Sequence, residues 1–129
     1  MQLLIGATLI DGTGTPPVPN ASVLLDAGRI AAIWPYHETP PPAGADIVDL
    51  AGFTLLPGLI DGHDHLASHS YALAHRWGLD EPASTKHLRT ARVLQQTLES
   101  GYTSVRDAAG LDVGFKLALD EGLLQGPRV

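Results

Sequence analysis

Cysteine is absent from this chain of 129 residues, so no disulfide framework, thiolate metal site or cysteine nucleophile is available. Any metal must be held by histidine and carboxylate. Positive charge is scarce: eight Lys and Arg stand against fourteen Asp and Glu, a formal charge of −6 and the wrong sign for a surface that must neutralise phosphates. No nucleic-acid partner is therefore expected. Long apolar runs are missing too. Leu3 to Ile10 is interrupted by Gly6 and too short to span a bilayer, and the first basic residue is Arg29, so neither signal peptide nor membrane helix is expected. A reducing, cytoplasmic setting is the default expectation. What is present, 44% hydrophobic residues over a length suited to one compact domain, reads as a soluble globular protein.

Gly and Pro break the chain unevenly, with Pro16, Pro17 and Pro19 in one cluster and Pro35 and Pro40 to Pro42 in another. Between the breaks lie β-leaning segments: Gln2 to Ile10, Ala21 to Asp26, Arg29 to Trp34, Asp46 to Leu50 and Phe53 to Leu56. Ala27-Gly28 is a connection of hairpin length. The first 57 residues thus predict a small antiparallel β-layer without helix.

After Pro57 the pattern changes. Gly58 to Leu66 reads as a strand ending in histidine and carboxylate. From Ser84 a helix is expected, with Ser84 or Thr85 as N-cap, Leu88, Ala91, Leu94 and Leu98 on one face, and Gly101 as the stop. Tyr102 to Arg106 reads as a second strand and Asp112 to Gly122 as a second helix. Strand, helix, strand, helix is the rhythm of a parallel βα fold. Two such strands have open edges, so Leu59, Ile60 and Val105 are expected to lack their covering, and the chain reads as the front of something larger.

Polar chemistry gathers at Asp61-Gly62-His63-Asp64-His65. On a strand, Asp61, His63 and His65 share one face and Asp64 takes the other, so two imidazoles at i and i+2 can grip one metal. The carboxyl end of a strand is where βα folds place reacting groups. Two solvated loop histidines are the competing reading. His69 and His75 could face a substrate but read more simply as solvated, and His87 and His37 read as surface residues. Arg106 and Asp107 could position a substrate carboxylate, with a structural ion pair as the simpler role. Gly12-Thr13-Gly14 is no phosphate loop, since neither lysine nor helix follows it.

The run Leu56-Pro57-Gly58-Leu59-Ile60-Asp61-Gly62-His63-Asp64-His65-Leu66 resembles the first barrel strand of the amidohydrolase superfamily, in the subgroup of imidazolonepropionase and Xaa-Pro dipeptidase relatives. Ile5 to Gly14, Gly28-Arg29-Ile30 and Asp49-Leu50-Ala51-Gly52 resemble the β-domain that precedes the barrel. Gly101-Tyr102-Thr103-Ser104-Val105-Arg106-Asp107 resembles the second barrel strand, and Gly122 to Val129 the lead into the third.

The resemblance implies an α/β fold: an N-terminal β-domain over residues 1–57, completed in the family by C-terminal strands, then over 58–129 the first two βα units of a truncated TIM (β/α)8 barrel. It implies His63 and His65 as ligands of a divalent metal, zinc by preference, in a site of one or two ions. Asp61 and Arg106 would line or support that site. The implied activity is hydrolysis of a C–N bond in a small amide, dipeptide or cyclic substrate by a metal-activated water. A bridging carboxylated lysine, two further histidines and a proton-shuttling aspartate would sit on later strands. Lys86 and Lys116, the only lysines, fall in helical segments. No catalytic residue beyond the metal ligands is thus expected here. Two alternatives stay open: a non-catalytic fragment or pseudoenzyme acting in assembly, as a homo-oligomer or beside a chain that supplies the rest of the barrel, and a deaminase or other ring hydrolase of the same superfamily.

Overall fold

The computed structural model describes residues 1–35, 39–67 and 82–129, so His37, His69 and His75 lie outside the described residues. The chain divides into two compact units, Met1–Pro57 and Gly58–Val129. Among the described residues no helix is long and apolar enough to cross a membrane.

The first unit is a five-stranded sheet of β1 (Gln2–Leu9), β2 (Val18–Asp26), β3 (Arg29–Pro35), β4 (Asp46–Asp49) and β5 (Thr54–Leu55). Strands β1, β2 and β3 are antiparallel neighbours, as the alternating segments predict. Ala27 and Gly28 turn the β2–β3 hairpin with φ of 47° and 74°, the left-handed pair that matches the twist of the flanking strands. The expectation of a wholly antiparallel layer is corrected, because β4 and β5 both run parallel to β1. Local alternation fixes which face a strand buries but not which direction its partner runs. The switch between the two partners falls at Gly6, where β1 bulges at φ 81°. A side chain there would meet the Ala51 backbone at 3.2 Å. The bulge also shifts side-chain parity, so that Leu4 before it and Leu9 beyond it pack into one core with Ala21 and Val23, flanked by Leu25 and Leu55; Leu3 and Ala7 are buried as well.

The second unit pairs β6 (Leu59–Asp64) in parallel with β7 (Tyr102–Asp107), and adds helices α1 (Ala83–Glu99) and α2 (Val113–Asp120). Ser104 forms a further parallel bridge to Arg128, so the backbone after α2 returns alongside β7. Leu66, Leu94 and Val105 form the core, with Val93, Tyr102, Leu111, Phe115, Leu119, Leu124 and Val129 packed on it. Val105 is buried, contrary to the expectation of an uncovered strand face, because α1 and the returning segment lie over it. Leu59 and Ile60 are exposed as expected, Ile60 to 76%.

Helix α1 starts one residue before the expected cap. Pro82 occupies the N-cap with ψ 136° and no side-chain cap bond, which places Ser84 and Thr85 inside the first turn. Ser100 caps the other end, and Gly101, at φ 94°, turns the chain into β7 as its composition predicts. The buried face is rotated from the leucine stripe: Thr90 and Leu94 are buried while Leu88 stays 73% exposed. Thr90 tolerates burial because its hydroxyl donates to the Lys86 carbonyl at 3.0 Å. Asp112 caps α2, its carboxylate accepting from the Gly114 amide at 2.7 Å.

Candidate metal centre

His63 lies one residue before the end of β6 and His65 one residue beyond it, both exposed. Their ring centroids are 5.3 Å apart, with planes inclined at 70°. A metal about 2.1 Å from one nitrogen of each ring sits about 3.2 Å from each ring centre, and a tetrahedral angle between those directions then sets the centres about 5.2 Å apart. The observed centroid separation matches that spacing. The donor set fits a metal chemically as half a site. Two neutral nitrogens leave two tetrahedral positions unfilled, and no cluster of three or more His, Asp or Glu able to hold a metal occurs among the described residues.

The strand end is fixed by carboxylates bonded to backbone amides. Asp61 Oδ1 accepts from the His63 amide at 2.9 Å, and Asp64 Oδ1 accepts from the His65 amide at 2.7 Å. Asp61 therefore holds the backbone of the histidine segment. The β6–β7 register slips between Asp61 and Asp64, which loosens the ladder where the histidines stand. Beyond the slip, the Ala108 amide donates to the Asp64 carbonyl at 2.7 Å and closes the gap.

Asp107 takes a role that its sequence position did not suggest. The expected ion pair with Arg106 is replaced: Oδ2 of Asp107 accepts from the Leu66 amide at 2.8 Å and Oδ1 from the Leu111 amide at 3.3 Å. Arg106 follows buried Val105 and is exposed beside half-buried Asp107, as strand alternation requires. The loop that Asp107 anchors carries the Ala109 carbonyl, 3.3 Å from His65 Nδ1. Only an Asp ending a strand before Ala-Ala-Gly hinted at this in the sequence. Away from this cluster, His87 is an exposed residue of α1 whose ring meets Phe115 edge-on at 5.7 Å. Lys86 lies within α1 and Lys116 within α2, the latter paired with Asp120 at 3.0 Å.

A β-layer followed by parallel βα units, with its polar groups collected at the carboxyl ends of β6 and β7, defines an α/β protein built like the opening of a (β/α)8 barrel. The profile of the amidohydrolase family matches residues 54–129, and the chain belongs to that family. Ochratoxinase of Aspergillus niger is 29% identical over 131 residues, covering all of this chain and 27% of its own length. Its crystal structure superimposes with a TM-score of 0.78 at 28% identity, over 99% of this chain and 30% of that one. A Xaa-Pro dipeptidase crystallised with methionine in its active site gives a TM-score of 0.82 at 25% identity, over 98% of this chain and 32% of that one. Imidazolonepropionase of Streptomyces griseus subsp. griseus is 37% identical over 57 residues, 43% of this chain and 14% of its own. The chain thus spans about a third or less of the length of these relatives.

Proposed function

We propose that this chain contributes one face of the metal centre of a hydrolase that cleaves C–N bonds in small amide, dipeptide or cyclic substrates. The observation carrying this reading is the His63–His65 pair, its rings 5.3 Å apart at a strand end inside the family match. The ion we assign is zinc, since two imidazoles without thiolates suit it. When bound, such an ion polarises a scissile carbonyl and lowers the pKa of a water.

The chain's own residues supply binding and orientation. His63 and His65 each present a nitrogen lone pair, while Asp61 holds the peptide that leads into His63 and Asp64 the one that leads into His65. Arg106, exposed near the end of β7, is assigned to receive a substrate carboxylate. In this reading residues 1–57 form the β-domain that precedes the barrel, and 58–129 its first two βα units. The remaining donors belong to later barrel strands, in a longer chain or a partner chain that supplies the rest of the barrel. Among the described residues no third donor joins the pair, which favours a second reading, in which these residues alone act only in assembly.

The test is calorimetric titration of Zn²⁺ into the chain and into the double variant His63→Ala/His65→Ala, with a dipeptide hydrolysis assay alongside. Weak binding that disappears in the variant, without hydrolysis, is expected. An unchanged isotherm removes the metal assignment. Hydrolysis by the 129 residues alone would instead show a site completed across an oligomer interface.

A further inference from the structure

Four hydrogen bonds converge on the end of β7 and the segment that follows it. Asp107 accepts from Leu66 and Leu111, the Ala108 amide donates to the Asp64 carbonyl, and the Ala109 carbonyl faces His65 Nδ1. Three of them join residues 107–109 to the histidine end of β6, and the fourth, from Leu111, closes the segment on itself. A carboxylate suits the place because it offers acceptors on both oxygens and can take two N–H groups from different directions, whereas an amide offers only one acceptor atom. Fixing the Leu111 amide closes a short loop over residues 108–110. That closure sets where the Ala109 carbonyl points.

We propose that Asp107 is a positioning residue for His65. By anchoring the 108–111 loop it holds the Ala109 carbonyl against Nδ1, which keeps the proton on Nδ1 and leaves the Nε2 lone pair directed away from the loop. A carbonyl can only accept, so the ring nitrogen facing it must carry the hydrogen. The ring is thereby preset in one tautomer before any ion arrives, and its rotation is restrained. Outer contacts of this kind typically change metal affinity 10- to 100-fold. This inference rests on the reading of His63 and His65 as metal ligands, yet its first consequence is visible in the metal-free chain.

The test uses the 129-residue chain with ¹⁵N-labelled histidine, free of metal and held well above the imidazole pKa range. Long-range ¹H–¹⁵N spectra read the tautomer of each ring, with exposed His87 as internal reference. In the unaltered chain His65 is expected as the Nδ1–H form. In Asp107→Asn it is expected to relax towards the mixture shown by His87, while slow exchange of the Ala108 amide reports that β6 and β7 remain paired. Asp107→Glu, which restores both acceptor oxygens, is expected to recover part of the preference. Cobalt(II) titration should show about ten-fold weaker binding in Asp107→Asn.

A His65 tautomer that is the same in the Asp107→Asn variant as in the unaltered chain, with Ala108 still protected, overturns the proposal. Loss of Ala108 protection also overturns it, because Asp107 would then serve strand pairing rather than the ring. If the tautomer shifts as expected but cobalt binding does not depend on His63 and His65, the positioning stands and the metal reading fails.

Discussion

Gly126 lies so close to Leu94 that a methyl group placed on it would stand 3.0 Å from Leu94 Cβ and 2.9 Å from Leu119 Cδ2. Leu94 is fully buried at the centre of the second unit, so its Cβ cannot yield without disturbing the core, whatever the half-buried Leu119 methyl can do. Gly126→Ala is expected to destabilise by about 1–3 kcal/mol, the usual cost of overpacking. Gly62, with nothing among the described residues within 4 Å of its added methyl, serves as the control. Gly62→Ala should stay within about 0.5 kcal/mol. Urea unfolding followed by circular dichroism separates the two, and equal midpoints would contradict the packing described.

Asp112 caps α2 through the Gly114 amide. Asp112→Ala should cost about 1 kcal/mol and fray the first turn. Faster hydrogen exchange at Gly114 and Phe115, with Val105 unchanged, is the expected pattern. Uniform acceleration at all three would mean that the cap holds more than its helix.

Ile60 is 76% exposed beside Leu59 at 44%, on the strand that carries the histidines. Exposed apolar groups on an open strand favour association. Ile60→Lys is expected to lower the concentration dependence of sedimentation while leaving the unfolding midpoint nearly unchanged. A marked loss of stability would show Ile60 to be packed rather than bare.

Asp11 titrates below its ordinary value of 3.8, first because the Thr13 amide donates to its carboxylate and next because the Thr13 hydroxyl does. The folded-state pKa is depressed, so the stability this group contributes is present above 3.8 and fades as pH falls through the lower folded value. Thr13→Ala keeps the amide and removes the hydroxyl, so the Asp11 midpoint seen by NMR should move partway back towards 3.8. A full return would assign the whole effect to the hydroxyl.

Much of the architecture is legible in residue order. The β1 to β3 segments, the Ala27-Gly28 turn, both helices and the α/β class follow from alternation, turn chemistry and helical spacing, all of them local signals. The His63 and His65 pair was visible for the same reason: strand parity puts i and i+2 on one face. What local patterns do not encode is the identity of a distant partner. The parallel course of β4 and β5 depends on which edge of β1 they reach. Burial of Thr90 in place of Leu88 depends on the rotation α1 adopts against β7, together with a hydroxyl bond back along the helix. Asp107 binds Leu66, far back along the chain, and beyond the Ala-Ala-Gly that follows Asp107 nothing near either residue announces it.

The pairing of Leu59 with Tyr102 implies an order of events. The β2–β3 hairpin closes over two residues and can form within microseconds as soon as both strands exist. The β6–β7 pair must close a loop of about forty residues, whose entropic cost precedes any reward from the contact. During synthesis the histidine strand emerges from the ribosome about forty residues ahead of β7, a lead of a few seconds at the usual rate of elongation. For that interval His63 and His65 belong to an unpaired segment, without Asp107 or Ala109 to hold their loop. If the pair holds an ion as proposed, capture in that geometry has to follow the arrival of β7.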